Sequence, residues 1–65
     1  MPVVRIEMFA GRDAETKQKL VREMTDSMAR LTGCSPESVS VIITDVPKEN
    51  WGLGGELAST KFPDK

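Results

Sequence analysis

The chain reads as an α/β protein: a single βαβ unit with a short C-terminal hairpin, its sheet joined to others across subunits. Three observations predict this. Two apolar runs of strand length flank one stretch of helical periodicity. The second run, centred on Val41-Ile42-Ile43, is apolar on both faces, as in a parallel strand covered on each side. The chain also has only 65 residues, and a domain this short buries about 60% of its unfolded surface, leaving a lone core marginal. Two strands make no stable independent sheet, so the second cover has to come from another subunit.

Residues 2–9 form the first expected strand. Val4, Ile6 and Met8 point to one side, and Val3, Arg5, Glu7 and Phe9 to the other. Gly11 breaks the run. Asp13 is a good helix N-cap, and Glu15 puts negative charge in the first turn, where the helix dipole favours it. Over residues 14–32, Leu20, Val21, Met24, Met28 and Leu31 recur at three- and four-residue spacing as one apolar stripe. The methionines in it read as core filler. Glu15 with Lys19, and Asp26 with Arg30, are i,i+4 pairs for the wet side. Gly33 closes the helix as a left-handed cap. Ser35-Pro36-Glu37-Ser38 reads as a capped single turn with Pro36 at its first position. The second strand covers residues 39–46, with Val39, Val41 and Ile43 on one face and Ser40, Ile42 and Thr44 on the other. Strand, helix and strand in this order make a right-handed crossover. Pro47 stops the strand, Lys48-Glu49-Asn50 is a polar turn, and residues 51–58 form a tight glycine-rich hairpin. Residues 1–65 make a single domain, with 60–65 as its tail.

A scaffold of this size needs a staple: disulfides, a metal or self-association. Cys34 is the only cysteine, so no intrachain bridge exists, and a lone thiol suits a reducing cytoplasm. With no histidine, a zinc site would need carboxylates, which is atypical, and no metal is expected. Self-association remains. Nine basic residues against ten acidic ones give a net charge of −1, which makes no electrostatic case for nucleic acid or an anionic membrane. No apolar stretch approaches the ~20 residues of a membrane span, and no charged-then-apolar leader is visible. The expected compartment is the cytoplasm.

Without histidine, proton transfer needs another group. Pro2 stands behind the initiator Met1. Once Met1 is removed, Pro2 is a free secondary amine, the one group here that would titrate near neutrality in an apolar pocket. An unperturbed α-amino group has a pKa of about 7.7–8.0; burial and a nearby cation penalise its charged form and lower that value. A neutral amine on a rigid strand end is suited to general base chemistry. Arg12, beside Gly11 at a strand-to-helix corner, carries a fork of donors that can hold a carboxylate bidentately. Trp51, the only tryptophan, lies between a polar turn and a glycine run, where it can wall a site or anchor an interface. Each has a plainer account as well: proline is ordinary at the first position of a strand, and most arginines are simply solvated. Gly52-Leu53-Gly54-Gly55 lacks the spacing and the lysine of a phosphate loop. Cys34 follows a helix C-terminus, whose dipole disfavours a thiolate, and is expected to be inert.

Taken together, these pieces resemble the 4-oxalocrotonate tautomerase family. The resemblance runs from Pro2 to about Ser59. It is carried by Pro2 leading a strand, Gly11-Arg12 before a long amphipathic helix, Val41-Ile42-Ile43-Thr44, and Trp51-Gly52-Leu53-Gly54-Gly55-Glu56-Leu57-Ala58-Ser59. The resemblance implies a βαβ unit with a terminal hairpin, two units pairing their sheets, and three dimers forming a homohexamer. It implies a cofactor-independent keto–enol isomerase, of the kind that serves aromatic compound degradation, acting on small 2-hydroxy-dienoate or enol-pyruvate carboxylates. Pro2 matches the proline that shuttles a proton between enol oxygen and carbon. Arg12 matches the arginine that binds a substrate carboxylate from a neighbouring subunit. Trp51 stands where the family commonly has phenylalanine, an apolar wall that helps keep the proline neutral.

One position departs from the pattern. Ser40 occupies the site of a second arginine that polarises the 2-oxo group and its adjoining carboxylate. A hydroxyl donates one hydrogen bond and brings no charge, and losing such a donor in a dry site costs about 2.7–4 kcal/mol of transition-state stabilisation. Arg5 compensates only if its face of the sheet reaches a pocket; alternation alone sends it to an intersubunit surface or to solvent. Two further readings stand beside the isomerase. One is a non-enzymatic homo-oligomeric binding or assembly module, motivated by Ser40. The other is a hydrolytic dehalogenase, for which Gly52-Leu53 lacks the water-activating acid and Phe9 stands where a second arginine is wanted.

Overall fold

In the computed structural model of the protein, residues 2–63 are described; Met1, whose removal the sequence reading requires, and Asp64 and Lys65 of the expected tail lie outside them. Strand β1 (Val3–Phe9) is followed by helix α1 (Ala14–Thr32), a 3-10 turn (Pro36–Ser38), strand β2 (Ser40–Val46) and a second 3-10 turn (Lys48–Asn50). A small hairpin of β3 (Gly52–Leu53) and β4 (Glu56–Leu57) leads into the one-turn helix α2 (Ala58–Lys61). Residues 60 and 61, assigned above to a tail, are therefore helical. β1 and β2 pair in parallel, Val3 opposite Ser40 through Phe9 opposite Val46. The hairpin pairs antiparallel, with Gly52 opposite Leu57 and Leu53 opposite Glu56. Its two-residue turn is Gly54-Gly55, both at positive φ (57° and 90°), the backbone twist that two-residue hairpins favour.

Local signals set the limits of α1. The Asp13 carboxylate accepts from the Thr16 backbone N–H at 2.9 Å, and Gly33, left-handed at φ 79°, donates its N–H to the Ala29 carbonyl. Leu20, Val21, Met24 and Met28 are half-buried. Leu31 departs from the expected stripe, at 76% exposure. Glu15–Lys19 pairs at 3.7 Å, whereas Asp26–Arg30 is not among the ion pairs of the described residues. The ion pair that ties helix to sheet is instead Lys17–Asp45 at 2.5 Å, across 28 residues of chain. Ser35 makes no side-chain cap; its carbonyl accepts from the Ser38 hydroxyl at 2.8 Å, which closes the turn another way.

The molecule is a slab, 42 × 25 × 14 Å, one helix layer on one sheet layer. Val4, Ile6, Met8, Val41 and Ile43 are half-buried on the helix side. The opposite face is bare: Val3 is 50% and Ile42 44% exposed, and Arg5, Glu7, Ser40 and Thr44 beside them are exposed too. Among the described residues only Ala58 is fully buried. The radius of gyration is 14.8 Å, against about 11 Å for a compact domain of this length. The surface is 4959 Å², against about 4,100 Å² for a compact monomer of this mass. The excess is comparable to the roughly 800 Å² that each partner buries in a standard interface.

The cap gives a pH-dependent expectation. Hydrogen bonds from Thr16 hold the Asp13 carboxyl below its ordinary value of 3.8. A depressed carboxylate stabilises the fold above its unfolded value, and that contribution disappears as pH falls through the folded value. Thermal melts of native protein and Asp13→Ala should therefore differ at pH 7 and converge as pH falls below the ordinary carboxylate value of 3.8 and through the lowered folded one.

Candidate active site

The parallel ladder decides which candidate residues meet. Pro2 immediately precedes β1, where its missing N–H costs the ladder nothing. Its carbonyl accepts from the Ser40 backbone N–H at 3.0 Å, so Pro2 and Ser40 sit together at one end of the sheet. At the other end Ala10 donates to the Val46 carbonyl at 3.0 Å. The chain then turns at Gly11, whose φ of 121° lies in a region that a side chain disfavours. That turn delivers the exposed Arg12 to the mouth between β1 and α1. Seven residues of strand at about 3.3 Å each hold Pro2 and Arg12 more than ~20 Å apart. One protomer alone cannot present both to a small substrate.

Trp51 lies at the Arg12 end. The turn Lys48–Asn50 carries it back over β1, and its carbonyl accepts from the Ala58 N–H at 2.7 Å. Its ring meets Phe9 edge-on, with centroids 4.7 Å apart and planes at 67°. Phe62 meets Phe9 at a tilt of 52°, 6.5 Å between centroids. Lys48 reaches over the Phe9 ring at 5.8 Å and donates to the Phe62 carbonyl at 2.6 Å. The half-buried Trp51 thus rests edge-on against Phe9. At the same end of the sheet opens a cleft of about 260 Å³ lined by Ala10, Pro47, Lys48, Glu49, Ser59 and Pro63. Trp51 was legible in the sequence; the ring it meets, Phe9, and the Phe62 beside that ring were not. The available signal was that these are the only two phenylalanines in the chain; what hid it was the placement of Phe62 in a tail.

Cys34 departs from expectation in direction. The Thr32 hydroxyl, 3.1 Å from Sγ, holds the thiol below its ordinary value of 9.0, where the helix dipole alone would raise it. The same hydroxyl has one proton and a second acceptor, the Met28 carbonyl at 2.7 Å, so the lowering applies only while that proton is turned toward sulfur. Among the described residues no three of Cys, Asp and Glu gather into a group that could hold a metal ion. No helix is long and apolar enough to cross a membrane.

Comparison with known proteins agrees with this architecture. The family model described as tautomerase enzyme matches residues 2–61. The 2-hydroxymuconate tautomerase of Pseudomonas putida is 42% identical over 59 residues, which is 91% of this chain and 94% of that protein. A probable tautomerase of Lactiplantibacillus plantarum is 37% identical, over 91% of this chain and 92% of that protein. Among solved structures, a 4-oxalocrotonate tautomerase isozyme from Methylibium petroleiphilum superposes with a TM-score of 0.90 at 39% identity, over 94% of this chain and 98% of that one. A heterohexamer 4-oxalocrotonate tautomerase from Chloroflexus aurantiacus J-10-fl gives 0.86 at 32% identity, over 91% and 95%. A βαβ slab with this hairpin and these relatives is a tautomerase, an enzyme of the isomerase class. The chain belongs to the 4-oxalocrotonate tautomerase family. The reading as a non-enzymatic module gives way to that membership.

The edge-on contact is measurable. An edge-on aromatic pair contributes about 0.5–1.5 kcal/mol beyond its buried area. A double-mutant cycle of Phe9→Leu and Trp51→Leu, followed by denaturant unfolding, should return a coupling of that size; additive effects would mean the two rings stand independently.

Proposed function

We propose that this enzyme interconverts enol and keto forms of small 2-hydroxy-dienoate or enol-pyruvate carboxylates, with Pro2 as the proton carrier once Met1 has been removed. The observation that supports this most directly is the division of the candidate residues. Pro2 and Ser40 occupy one end of the sheet, Arg12 and Trp51 the other, on a slab with a bare face. A second copy of the chain, run in the opposite direction, supplies the missing half to each end. The family to which the chain belongs includes a protein described as a heterohexamer; here a homohexamer of three dimers is the proposed assembly, working in the cytoplasm on enols from the breakdown of aromatic compounds.

The chemistry follows from charge. An amine near pH 7 acts as base only if most of it is neutral, and an unperturbed α-amino group titrates at about 7.7–8.0. A dry wall such as Trp51 and a neighbouring guanidinium such as Arg12 both disfavour the ammonium form and draw the value down. Neutral Pro2 then takes the proton from the 2-hydroxyl of the dienol. The electron pair moves through the conjugated system as the 2-oxo group forms, and the protonated amine returns the proton to carbon. Arg12 anchors a carboxylate with two parallel hydrogen bonds. Ser40 can donate one hydrogen bond to the oxygen whose charge changes.

Three outcomes check this. Ketonisation of 2-hydroxymuconate and of phenylenolpyruvate, followed by absorbance, should depend on Pro2, falling by orders of magnitude in Pro2→Ala; equal rates for the two proteins would sink the assignment, as would a mass spectrum showing Met1 retained. Arg12→Ala should raise KM for the dicarboxylate while sparing the monocarboxylate phenylenolpyruvate, which lacks the distal carboxylate. Ile42→Glu puts a charge on the bare face and should move the native particle toward the 7.2 kDa protomer in sedimentation; an unchanged particle would place the assembly contact elsewhere.

A further inference from the structure

Arg5 has no assigned role in the reaction, yet the register puts it beside the position where the site lacks charge. Val3 stands opposite Ser40 and Arg5 opposite Ile42, so Arg5 and Ser40 are diagonal neighbours on the same bare face. Diagonal pairs across two strands lie about 7–8 Å apart, within reach of a long side chain. Beyond its backbone ladder bonds, the Arg5 side chain makes no hydrogen bond and no ion pair among the described residues, and it is exposed. Glu7 shares its face two residues along and leaves it unpaired. The other basic side chains are elsewhere: Lys17 is committed to Asp45, Lys19 to Glu15 and Lys61 to Glu56. Lys48 lies over Phe9, Arg12 is beyond the far end of β1, and Arg22 and Arg30 belong to α1. Arg5 is thus the one described cation on the face that carries Ser40.

The chemistry gives that cation a task. A 2-hydroxymuconate-like substrate brings two carboxylates, and negative charge builds on its 2-oxygen as the hydroxyl loses its proton. Arg12 can satisfy one carboxylate. At the Pro2–Ser40 end a serine hydroxyl is the sole side-chain donor from β2, and a hydroxyl offers one hydrogen bond and no charge. A guanidinium offers five donors on a long stem and stays charged.

Resting on the tautomerase reading above, we propose that Arg5 is a substrate-binding residue that acts with Ser40. Its guanidinium reaches diagonally over Ser40 to the 2-oxygen and the adjoining carboxylate of the substrate. The positive charge that β2 lacks at position 40 is thereby supplied from β1, one strand over. The preferred substrate is then a 2-oxo or 2-hydroxy acid rather than any enol.

The test separates this from a structural role and from the Pro2 mechanism. Arg5→Met keeps the aliphatic stem and removes the charge. Its assembly is checked first by sedimentation; loss of the native particle would assign Arg5 to a subunit contact and overturn the proposal. In an assembled Arg5→Met, kcat should fall about 10²–10³-fold on both 2-hydroxymuconate and phenylenolpyruvate, because both carry the 2-oxygen, whereas Arg12→Ala affects the dicarboxylate alone. The double variant Arg5→Met with Ser40→Arg should recover much of the loss by returning a guanidinium to the same place. Native rates in Arg5→Met, or an assembled double variant with no recovery, would overturn the assignment while leaving Pro2 catalysis intact. Calorimetric titration with 2-oxoadipate reads the same contact without turnover: native protein should bind at least tenfold more tightly than Arg5→Met. Equal affinities would overturn the proposal even for a native protein that turned over neither enol.

Discussion

The parallel pairing of β1 with β2 is the constraint on which the rest depends. It places Val3 against Ser40 and Phe9 against Val46, and so draws Pro2 and Ser40 to one end and Arg12 and Trp51 to the other. A strand ladder is stiff along its length, and no side-chain rotamer spans the gap. The protomer therefore carries its candidate residues divided between the two ends of the sheet. The same pairing explains the absence of a conventional core. Two strands present two faces, one helix covers one of them, and the other is left with Val3 and Ile42 exposed.

Stability within the protomer gathers at the Arg12 end. Ala58 is fully buried and donates its N–H to Trp51 while its carbonyl accepts from Phe62. Those two bonds tie down the two residues, Trp51 and Phe62, whose rings meet Phe9. The small methyl of Ala58 lets the backbone of α2 approach the hairpin closely, and Lys48 closes the arrangement over the Phe9 ring. Rings packed in this way can exclude water without depending on a loop to close. The Pro2 end has no comparable internal support, which fits a terminus whose surroundings are completed by another copy.

Local chemistry was legible where it acts over a few residues. The helix limits at Asp13 and Gly33 follow from a carboxylate placed to accept Thr16 N–H and a glycine free to turn left-handed. The apolar alternation divided the strand residues between two faces without saying which of them α1 would cover, and Pro2, Arg12, Ser40 and Trp51 were each visible as residue types in suggestive places. The failures came where distant parts of the chain decide. Leu31 has the spacing of a buried residue, yet it stands exposed. Asp26 and Arg30 have the spacing of a pair, yet the ion pair that bridges helix and sheet is Lys17 with Asp45. The dipole argument for Cys34 was overruled by one hydroxyl, that of Thr32.

By itself the sequence determined the βαβ order, the turns, the helix ends and the stock of reactive groups, because periodicity, capping and turn chemistry are properties of neighbouring residues. Only the tertiary structure decided the register of β1 on β2, and with it the separation of Pro2 from Arg12, the seating of Trp51 on Phe9 and the position of Arg5 beside Ser40. Alternation says which face a strand residue takes, but a slide of two residues preserves every face while changing every partner. The choice among such slides is made by long-range contacts, here the ladder bond from Ser40 to Pro2 and the aromatic cluster that anchors the opposite end.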